Sequence, residues 1–84
     1  MTRSLIESRL RAITASVFGL PEEQLPSDAD QSNLVAWDSL GHLRLIVALE
    51  GEFGIRFRTD RIARLTSLAL LLDEITHADH TGTS

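Results

Sequence analysis

The sequence predicts a small all-α protein, a bundle of three main helices with a short fourth helix that comes third along the chain. Apolar residues recur at helical spacing in three segments, and no segment alternates apolar and polar residues as a half-buried strand does. Of the 84 residues, 43% are hydrophobic and 24% are charged. This composition is typical of a globular protein, and the length suits a single domain over residues 1–84.

The first predicted helix covers residues 5–18. Its apolar stripe consists of Ile6, Leu10, Ile13 and Val17. Ser4 is followed three residues later by Glu7, a capping-box pattern with which we expect the helix to begin. Gly19 is expected to end the helix, and Pro21 prevents its continuation.

A long polar loop follows over residues 21–37. The isolated apolar residues that we expect to anchor it are Leu20, Leu25, Leu34 and Val35. Among these, Leu25 and Leu34 are expected to pack against the bundle, because a loop of this length in so small a domain is usually functional or held by a few buried side chains.

Two helices are predicted beyond the loop, with a short helical piece between them. The second helix covers residues 39–53 and is expected to end at Gly54, and the short piece lies at residues 60–64. The last helix is expected to begin at the cap signal Thr66-Ser67 and to end near Ala78.

The last helix carries one apolar stripe, formed by Leu68, Leu71, Leu72 and Ile75. The residues after it are polar. We therefore expect an ordered region over about residues 3–78 and a flexible tail over residues 79–84.

On a helical wheel, the second helix has two apolar arcs. The first faces the predicted core and consists of Leu45, Ile46, Leu49 and Phe53. The second consists of Leu40, Leu43 and Val47, and both Ser39 and Glu50 lie on the border between the arcs. Two interpretations of the second arc stay open: it packs against the loop and the short helix, or it contacts a partner.

Asp38 and Ser39 open the second helix, and either residue can cap it. Ser39 is also a candidate for covalent modification, because a phosphate ester there would face the unpaired N–H groups and the positive end of the helix dipole. Gly41 is expected to keep the surface around Ser39 open to a modifying enzyme. His42 lies three residues after Ser39, but a Ser–His pair without an orienting acid or an oxyanion hole is weak support for a hydrolase.

Composition disfavours several classes of function. The chain has no Cys, which removes disulfides, thiolate metal sites and a cysteine nucleophile, and His77 with His80 makes a poor metal site. We therefore expect no metal and no catalytic residues.

Seven carboxylates against one Arg give residues 21–54 a net charge of −6, which disfavours nucleic acid as a partner. The apolar runs are too short for membrane insertion and no signal-peptide core is seen, so we expect a cytoplasmic monomer.

Asp38-Ser39-Leu40, followed by LRLIVALEGEFGIRF, resembles the phosphopantetheine attachment motif and second helix of the acyl carrier proteins. The resemblance covers nearly the whole chain, from SLIESRLRAI through the long loop and the short third helix to LTSLALLLDEI. It implies a four-helix bundle of acyl-carrier-protein type. It also implies a carrier rather than an enzyme, which holds acyl intermediates as thioesters on a 4′-phosphopantetheine arm taken from coenzyme A.

Carried over to this chain, the resemblance makes Ser39 the residue that receives 4′-phosphopantetheine. The implied partners are a phosphopantetheinyl transferase and the enzymes that load or transfer the acyl group. The positions expected to recognise these partners are Asp38, Leu40, Leu43, Arg44, Val47 and Glu50.

The chain departs from the fatty-acid-synthesis branch of that family. Members of that branch usually have acidic residues at the positions of Gly41, Arg44 and Gly51, and Trp37 before the motif is also unlike them. We therefore expect a carrier of a specialised pathway, for a natural product or an unusual acyl group. An aminoacyl or peptidyl carrier is the alternative, although the motif is not of the GGHSL type.

A helical interaction or DNA-binding domain is the more remote alternative. Its support is the segment RFRTDRIAR, in which the basic residues are Arg56, Arg58, Arg61 and Arg64. Such a run is usually a solvated face, and the net charge of −4 weighs against nucleic acid.

Overall fold

The computed structural model describes the backbone of residues 2–81 and the side chains of residues 2–77. In this part of the chain the helices are α1 (Arg3–Phe18), α2 (Ser39–Phe53), α3 (Thr59–Ile62) and α4 (Leu68–Thr81). A short 3₁₀ turn, Glu22–Gln24, lies in the loop between α1 and α2. Helix α1 packs against both α2 and α4. The predicted all-α bundle with a short third helix is confirmed.

Helix α1 begins earlier than its apolar pattern predicts. Thr2 is the N-cap, and its hydroxyl oxygen accepts the N–H of Leu5 at 3.2 Å. Because Thr2 already satisfies one of the unpaired N–H groups, the helix needs no cap at Ser4. The predicted capping box of Ser4 and Glu7 is therefore wrong. Gly19 ends the helix as predicted, with a φ of 70° that glycine tolerates and other residues rarely adopt.

The core lies between the inward faces of α1, α2 and α4, and helical periodicity decides which residues reach it. The large side chains that are fully buried include Ile6, Leu10, Leu45, Leu49, Leu71 and Ile75. On α2, Ile46 is also buried and Phe53 is half-buried, so the predicted core-facing arc of that helix is confirmed.

The loop between α1 and α2 is fastened to α1. Leu25 is 3% exposed, as predicted, whereas Leu34 is half-buried against the core. The Arg11 guanidinium of α1 donates to the carbonyl oxygen of Leu25 at 2.8 Å and to that of Pro26 at 3.4 Å. A charged side chain thus satisfies two loop carbonyls that would otherwise rely on water.

The same loop is also fastened to the start of α4. The carbonyl oxygen of Ala29 accepts the N–H of Leu68 at 3.0 Å, and that of Thr66 accepts the N–H of Gln31 at 3.1 Å. This pair of bonds forms an isolated antiparallel bridge. The first unpaired N–H of α4 therefore finds its partner in the loop rather than in a side chain.

Asp30 stabilises the turn beside this bridge. Its Oδ1 accepts the Ser32 hydroxyl at 2.6 Å and the backbone N–H groups of Ser32 and Asn33 at 2.7 and 3.0 Å. These bonds, led by the one from the Ser32 hydroxyl, lower the pKa of the Asp30 carboxyl below its ordinary value of 3.8. The stabilisation is therefore present above that ordinary value and is lost as the pH falls through the lowered one.

Two buried residues that anchor the loop lie in its polar stretch, where the spacing of apolar residues does not predict them. Ala29 is 0% exposed and Trp37 is 1% exposed. Val35, predicted to be an anchor, is 97% exposed, so that prediction is wrong. The N–H of Trp37 bonds to the carbonyl oxygen of Leu34 at 3.0 Å, which places Val35 at the outer corner of a tight turn.

Helix α4 begins where predicted, because the Ser67 hydroxyl accepts the N–H of Leu70 at 3.1 Å. It continues to Thr81 rather than ending near Ala78, since neither Gly nor Pro occurs between Ser67 and Gly82. The predicted ordered range and flexible tail stay predictions, and residues 82–84 of that tail lie outside the described residues. Among the residues that the structure describes, no helix is both long enough and apolar enough to cross a membrane.

Candidate functional site

Ser39 is the first residue of α2 and is exposed to solvent. Asp38 precedes it as the N-cap, and its Oδ1 accepts the N–H of Gly41 at 2.7 Å. The Asp38 carbonyl oxygen accepts the N–H of His42 at 2.8 Å, the first bond of the helix. Capping therefore falls to Asp38, and no residue in the described part of the chain engages the Ser39 hydroxyl.

A buried chain of hydrogen bonds lies next to Ser39. The Trp37 Nε1–H group donates to His42 Nδ1 at 2.9 Å, and His42 Nε2 lies 2.7 Å from the carbonyl oxygen of Ile62. An indole N–H can only donate, so Nδ1 is the acceptor, and Nε2 carries the ring proton and donates to Ile62. We refer to this arrangement as the Trp37–His42–Ile62 relay.

The relay excludes a Ser–His nucleophilic pair. Ser39 and His42 are neighbours on the helix, three residues apart. Both ring nitrogens of His42 are already hydrogen-bonded, and the side chain is only 6% exposed. The imidazole therefore has no nitrogen with which to accept the Ser39 proton, and His42 has a structural role.

The relay joins the loop, α2 and α3, and its indole ring also packs against α1. The Trp37 ring, from the loop, lies 5.5 Å from the Phe18 ring at the end of α1 and 6.2 Å from the His42 ring of α2, measured between centroids. Ile62 belongs to α3. The sequence analysis did not predict this arrangement, and it identified Trp37 only as a departure from the fatty-acid-synthesis branch of the family. The available signal was a tryptophan in a polar loop, since a buried indole N–H needs an acceptor.

Gly41 is buried where α2 meets both the loop and α1. A Cβ atom there would overlap the carbonyl oxygen of Ala36 and would lie 3.2 Å from a ring carbon of Phe18. The expectation that Gly41 keeps the surface open to an enzyme is therefore wrong. Close packing, rather than docking, explains why this position holds glycine and not an acidic residue.

The second arc of α2 faces solvent next to Ser39. Leu40 is 58% exposed, Leu43 is 54% exposed and Val47 is 68% exposed. We refer to these three residues as the α2 apolar surface. More than half of each side chain is thus uncovered, which disfavours the packed interpretation of this arc, and contact with a partner stays a prediction.

The carboxylates of α2 are engaged within the domain. Glu50 is half-buried, and its Oε2 accepts the N–H of Phe57 at 3.0 Å. Glu52 pairs with Arg9 of α1 at 3.3 Å. Arg44 is exposed, and no ion pair with another described residue engages it. The exposed face of α2 therefore combines apolar side chains with one cation.

A cleft with a volume of about 430 Å³ lies between the start of α2 and α3. Its walls are formed by Ser39, Leu43, Ile62 and Ala63, with Gln31 and Thr59 at its polar side and the His42 ring between the two helices. The size falls at the lower end of the range for small-molecule sites. The Ser39 hydroxyl thus stands at the edge of a largely apolar cleft.

The amino-acid sequence of this chain is similar to those of known proteins. The family described as phosphopantetheine attachment site matches residues 8–75, a range that includes the long loop, α2 and α3. The chain belongs to this family. Acyl carrier protein 2 of Pseudomonas aeruginosa is 33% identical over 73 residues, which cover 87% of this chain and 92% of that protein. The predicted family is confirmed, and with it the covalently attached 4′-phosphopantetheine group. Members of this family are carrier proteins, which agrees with the predicted role.

The arginine cluster of the carrier does not form a uniformly cationic face. Arg58 pairs with Asp60 at 3.1 Å, and Arg61 pairs with Glu74 of α4 at 2.8 Å. These exposed pairs add little stability, but they offset half of the basic charge in the cluster. Family membership and these pairs together disfavour the DNA-binding alternative.

The packing of Gly41 in the carrier predicts opposite effects of two alanine substitutions on α2. Gly41→Ala should lower the free energy of unfolding by about 1–3 kcal/mol, because the methyl group overpacks the contact with the loop. Gly51→Ala is the matched control. A Cβ at Gly51 meets nothing within 4 Å, so alanine should raise the free energy of unfolding by about 0.5–1 kcal/mol. Urea unfolding followed by circular dichroism measures both, and equal effects would contradict the close approach at Gly41.

Proposed function

We propose that Ser39 is the residue that bears the 4′-phosphopantetheine arm, and that this protein carries acyl groups on it as thioesters. The supporting observation is an exposed, unengaged hydroxyl on the first residue of α2, at the edge of an apolar cleft. A phosphodiester at this oxygen fits the site, because the N-terminal end of a helix stabilises negative charge. When bound, the group supplies the terminal thiol that a chain without Cys lacks.

The residues around Ser39 position the arm rather than react with it. Asp38 holds the first turn of α2 in place, so the hydroxyl has a fixed location that a transferase can recognise. Leu43 and Ile62 offer apolar surface to the uncharged part of the arm and to its acyl group. Thr59 adds a hydroxyl for the polar groups of the arm.

Partner enzymes dock, in this proposal, on the α2 apolar surface together with Arg44. Exposed apolar side chains beside a reactive group are what a transient protein contact buries. Asp38 and Leu40, next to Ser39, serve the phosphopantetheinyl transferase. Glu50 uses one carboxylate oxygen to hold the turn towards α3 and leaves the other at the border of the docking surface.

The charge of the docking surface supports a pathway other than general fatty-acid synthesis. Among the charged side chains of α2, Glu50 and Glu52 are engaged within the domain, whereas Arg44 faces solvent. A partner complementary to this face has an apolar patch with a carboxylate nearby, not a strongly basic surface. We therefore propose a specialised pathway for a natural product or an unusual acyl group. The similarity to a protein named as an acyl carrier favours acyl over aminoacyl or peptidyl cargo.

The attachment residue is tested by intact mass. Incubation of the unmodified protein with coenzyme A and a broad-specificity phosphopantetheinyl transferase should add one phosphopantetheine group, and Ser39→Ala should gain none. Ser16→Ala, at an exposed serine of α1, is the matched control and should be modified like the wild type. Because Asp38 caps α2, Ser39→Ala should unfold at the same urea concentration as the wild type. If the Ser39→Ala protein still gained one phosphopantetheine group, Ser39 would not be the attachment residue.

The docking surface is tested by the rates at which acyl-loading enzymes act on the phosphopantetheine-bearing protein. Arg44→Glu should slow loading by the cognate enzyme and speed acceptance by fatty-acid-synthesis enzymes, because it reverses the one free charge of the surface. Val47→Asp should slow both, since it puts a charge into an apolar contact. The Arg44 effects should weaken at higher salt. Unchanged rates for Arg44→Glu with both partners would mean that selectivity lies elsewhere, for example near Arg56 and Arg64.

A further inference from the structure

The cleft beside Ser39 stops at the Trp37–His42–Ile62 relay. His42 is the buried member of its lining, whereas Ser39 and Leu43 are exposed. Behind His42 on the same helix lie Leu45 and Leu49, which are each 0% exposed. The cleft therefore ends at the His42 ring and does not continue into the core.

Both hydrogen bonds of His42 resist the opening of this floor. A chain that entered between α2 and α3 would have to separate His42 Nε2 from the Ile62 carbonyl oxygen, now 2.7 Å apart. The buried His42 N–H would then lack a partner, and the half-buried Ile62 carbonyl would lose its own. An unsatisfied buried group costs more than the burial of one methylene gains, so this loss opposes the entry of an acyl chain.

The space behind the His42 ring is also filled. The Trp37 indole is the largest fully buried side chain, and it lies between the rings of Phe18 and His42. Its N–H holds the His42 ring from the side opposite to Ile62. The ring therefore cannot swing inward without displacing the indole from a closely packed core.

We infer that His42 closes the floor of the cleft, so that acyl groups carried on the arm lie at the protein surface and do not enter the bundle. This inference rests on the proposed function, in which the arm is attached at Ser39. A short acyl group lies against Leu43 and Ile62 at the end of the arm. A longer chain extends from the cleft into solvent or into the partner enzyme and does not enter the bundle.

The test loads the wild-type protein with butyryl, octanoyl and dodecanoyl phosphopantetheine, transferred from the corresponding coenzyme A thioesters. Methyl NMR then locates the chain. The methyl resonances of Leu43 and Ile62 should move by the same amount for all three cargoes. Those of Leu49 and Ile75 should keep the positions found in the unloaded protein. Nuclear Overhauser contacts between an octanoyl or dodecanoyl chain and Leu49 or Ile75 would overturn the inference.

The role of His42 itself is tested by substitution. In His42→Ala the floor is open, and the dodecanoyl chain should gain contacts to Leu49 that the wild type lacks. His42→Gln is the matched control, because an amide offers one acceptor and one donor, and it should keep the wild-type pattern. An excluded dodecanoyl chain in a folded His42→Ala protein would overturn the role of His42. If His42→Ala does not fold, Trp37→Phe combined with His42→Ala removes the indole N–H that the single change leaves unsatisfied.

Failure of this inference differs from failure of the proposed function. A wild-type protein that gains no mass at Ser39 with any coenzyme A thioester disproves the attachment site. A protein that is loaded at Ser39 but buries its long chains in the core disproves only the closure of the cleft by His42.

Discussion

The surroundings of Ser39 depend on one buried histidine that is hydrogen-bonded on both sides. His42 accepts a bond from the Trp37 indole and donates one to the Ile62 carbonyl oxygen, and so it joins the loop, α2 and α3. Helix α3 spans only Thr59–Ile62 and has no side-chain cap, so it is too short to be stable alone. The relay, with Phe57 and Leu65 buried on either side of α3, holds this helix beside Ser39.

The same histidine fixes the rotation of α2 about its axis. With His42, Leu45 and Leu49 turned inward, the helical period leaves Ser39 and the α2 apolar surface facing outward. The capping of α2 by Asp38 then leaves the Ser39 hydroxyl unengaged. An exposed hydroxyl, an apolar surface and a cleft thus share one end of one helix. The proposed attachment at Ser39 and docking on the α2 apolar surface rest on this combination.

Local patterns in the sequence predicted most of the helices and the division of α2 into a buried and an exposed face. The period of apolar residues located α1, α2 and α4, the glycines at 19 and 54 marked two helix ends, and the two arcs of α2 separated core from surface. The resemblance of the Asp38-Ser39-Leu40 segment identified the family before any contact was known. These features depend on residues close together in the chain, which is why a sequence pattern reveals them.

The features that were missed depend on contacts between distant segments. Gly41 was expected to be open, but Ala36 and Phe18 close over it. Two of the four arginines near α3 are paired, and the partner of Arg61 lies on another helix, at Glu74. Thr2 and Val35 show a second limit, since several residues can cap a helix or anchor a loop, and small differences in turn geometry decide between them. The Trp37–His42–Ile62 relay was missed as well, because its members belong to the loop and to two different helices.

Nitrogen-15 NMR of the imidazole in the unmodified protein measures the hydrogen-bonding state of His42, on which the placement of Ser39 depends. We expect a single tautomer, with the proton on Nε2 and an unprotonated Nδ1, and a Trp37 indole proton that exchanges slowly with solvent. We also expect a scalar coupling from that indole N–H to His42 Nδ1. A ring that averages between tautomers, together with a rapidly exchanging indole proton, would contradict the relay and the placement of Ser39 that follows from it.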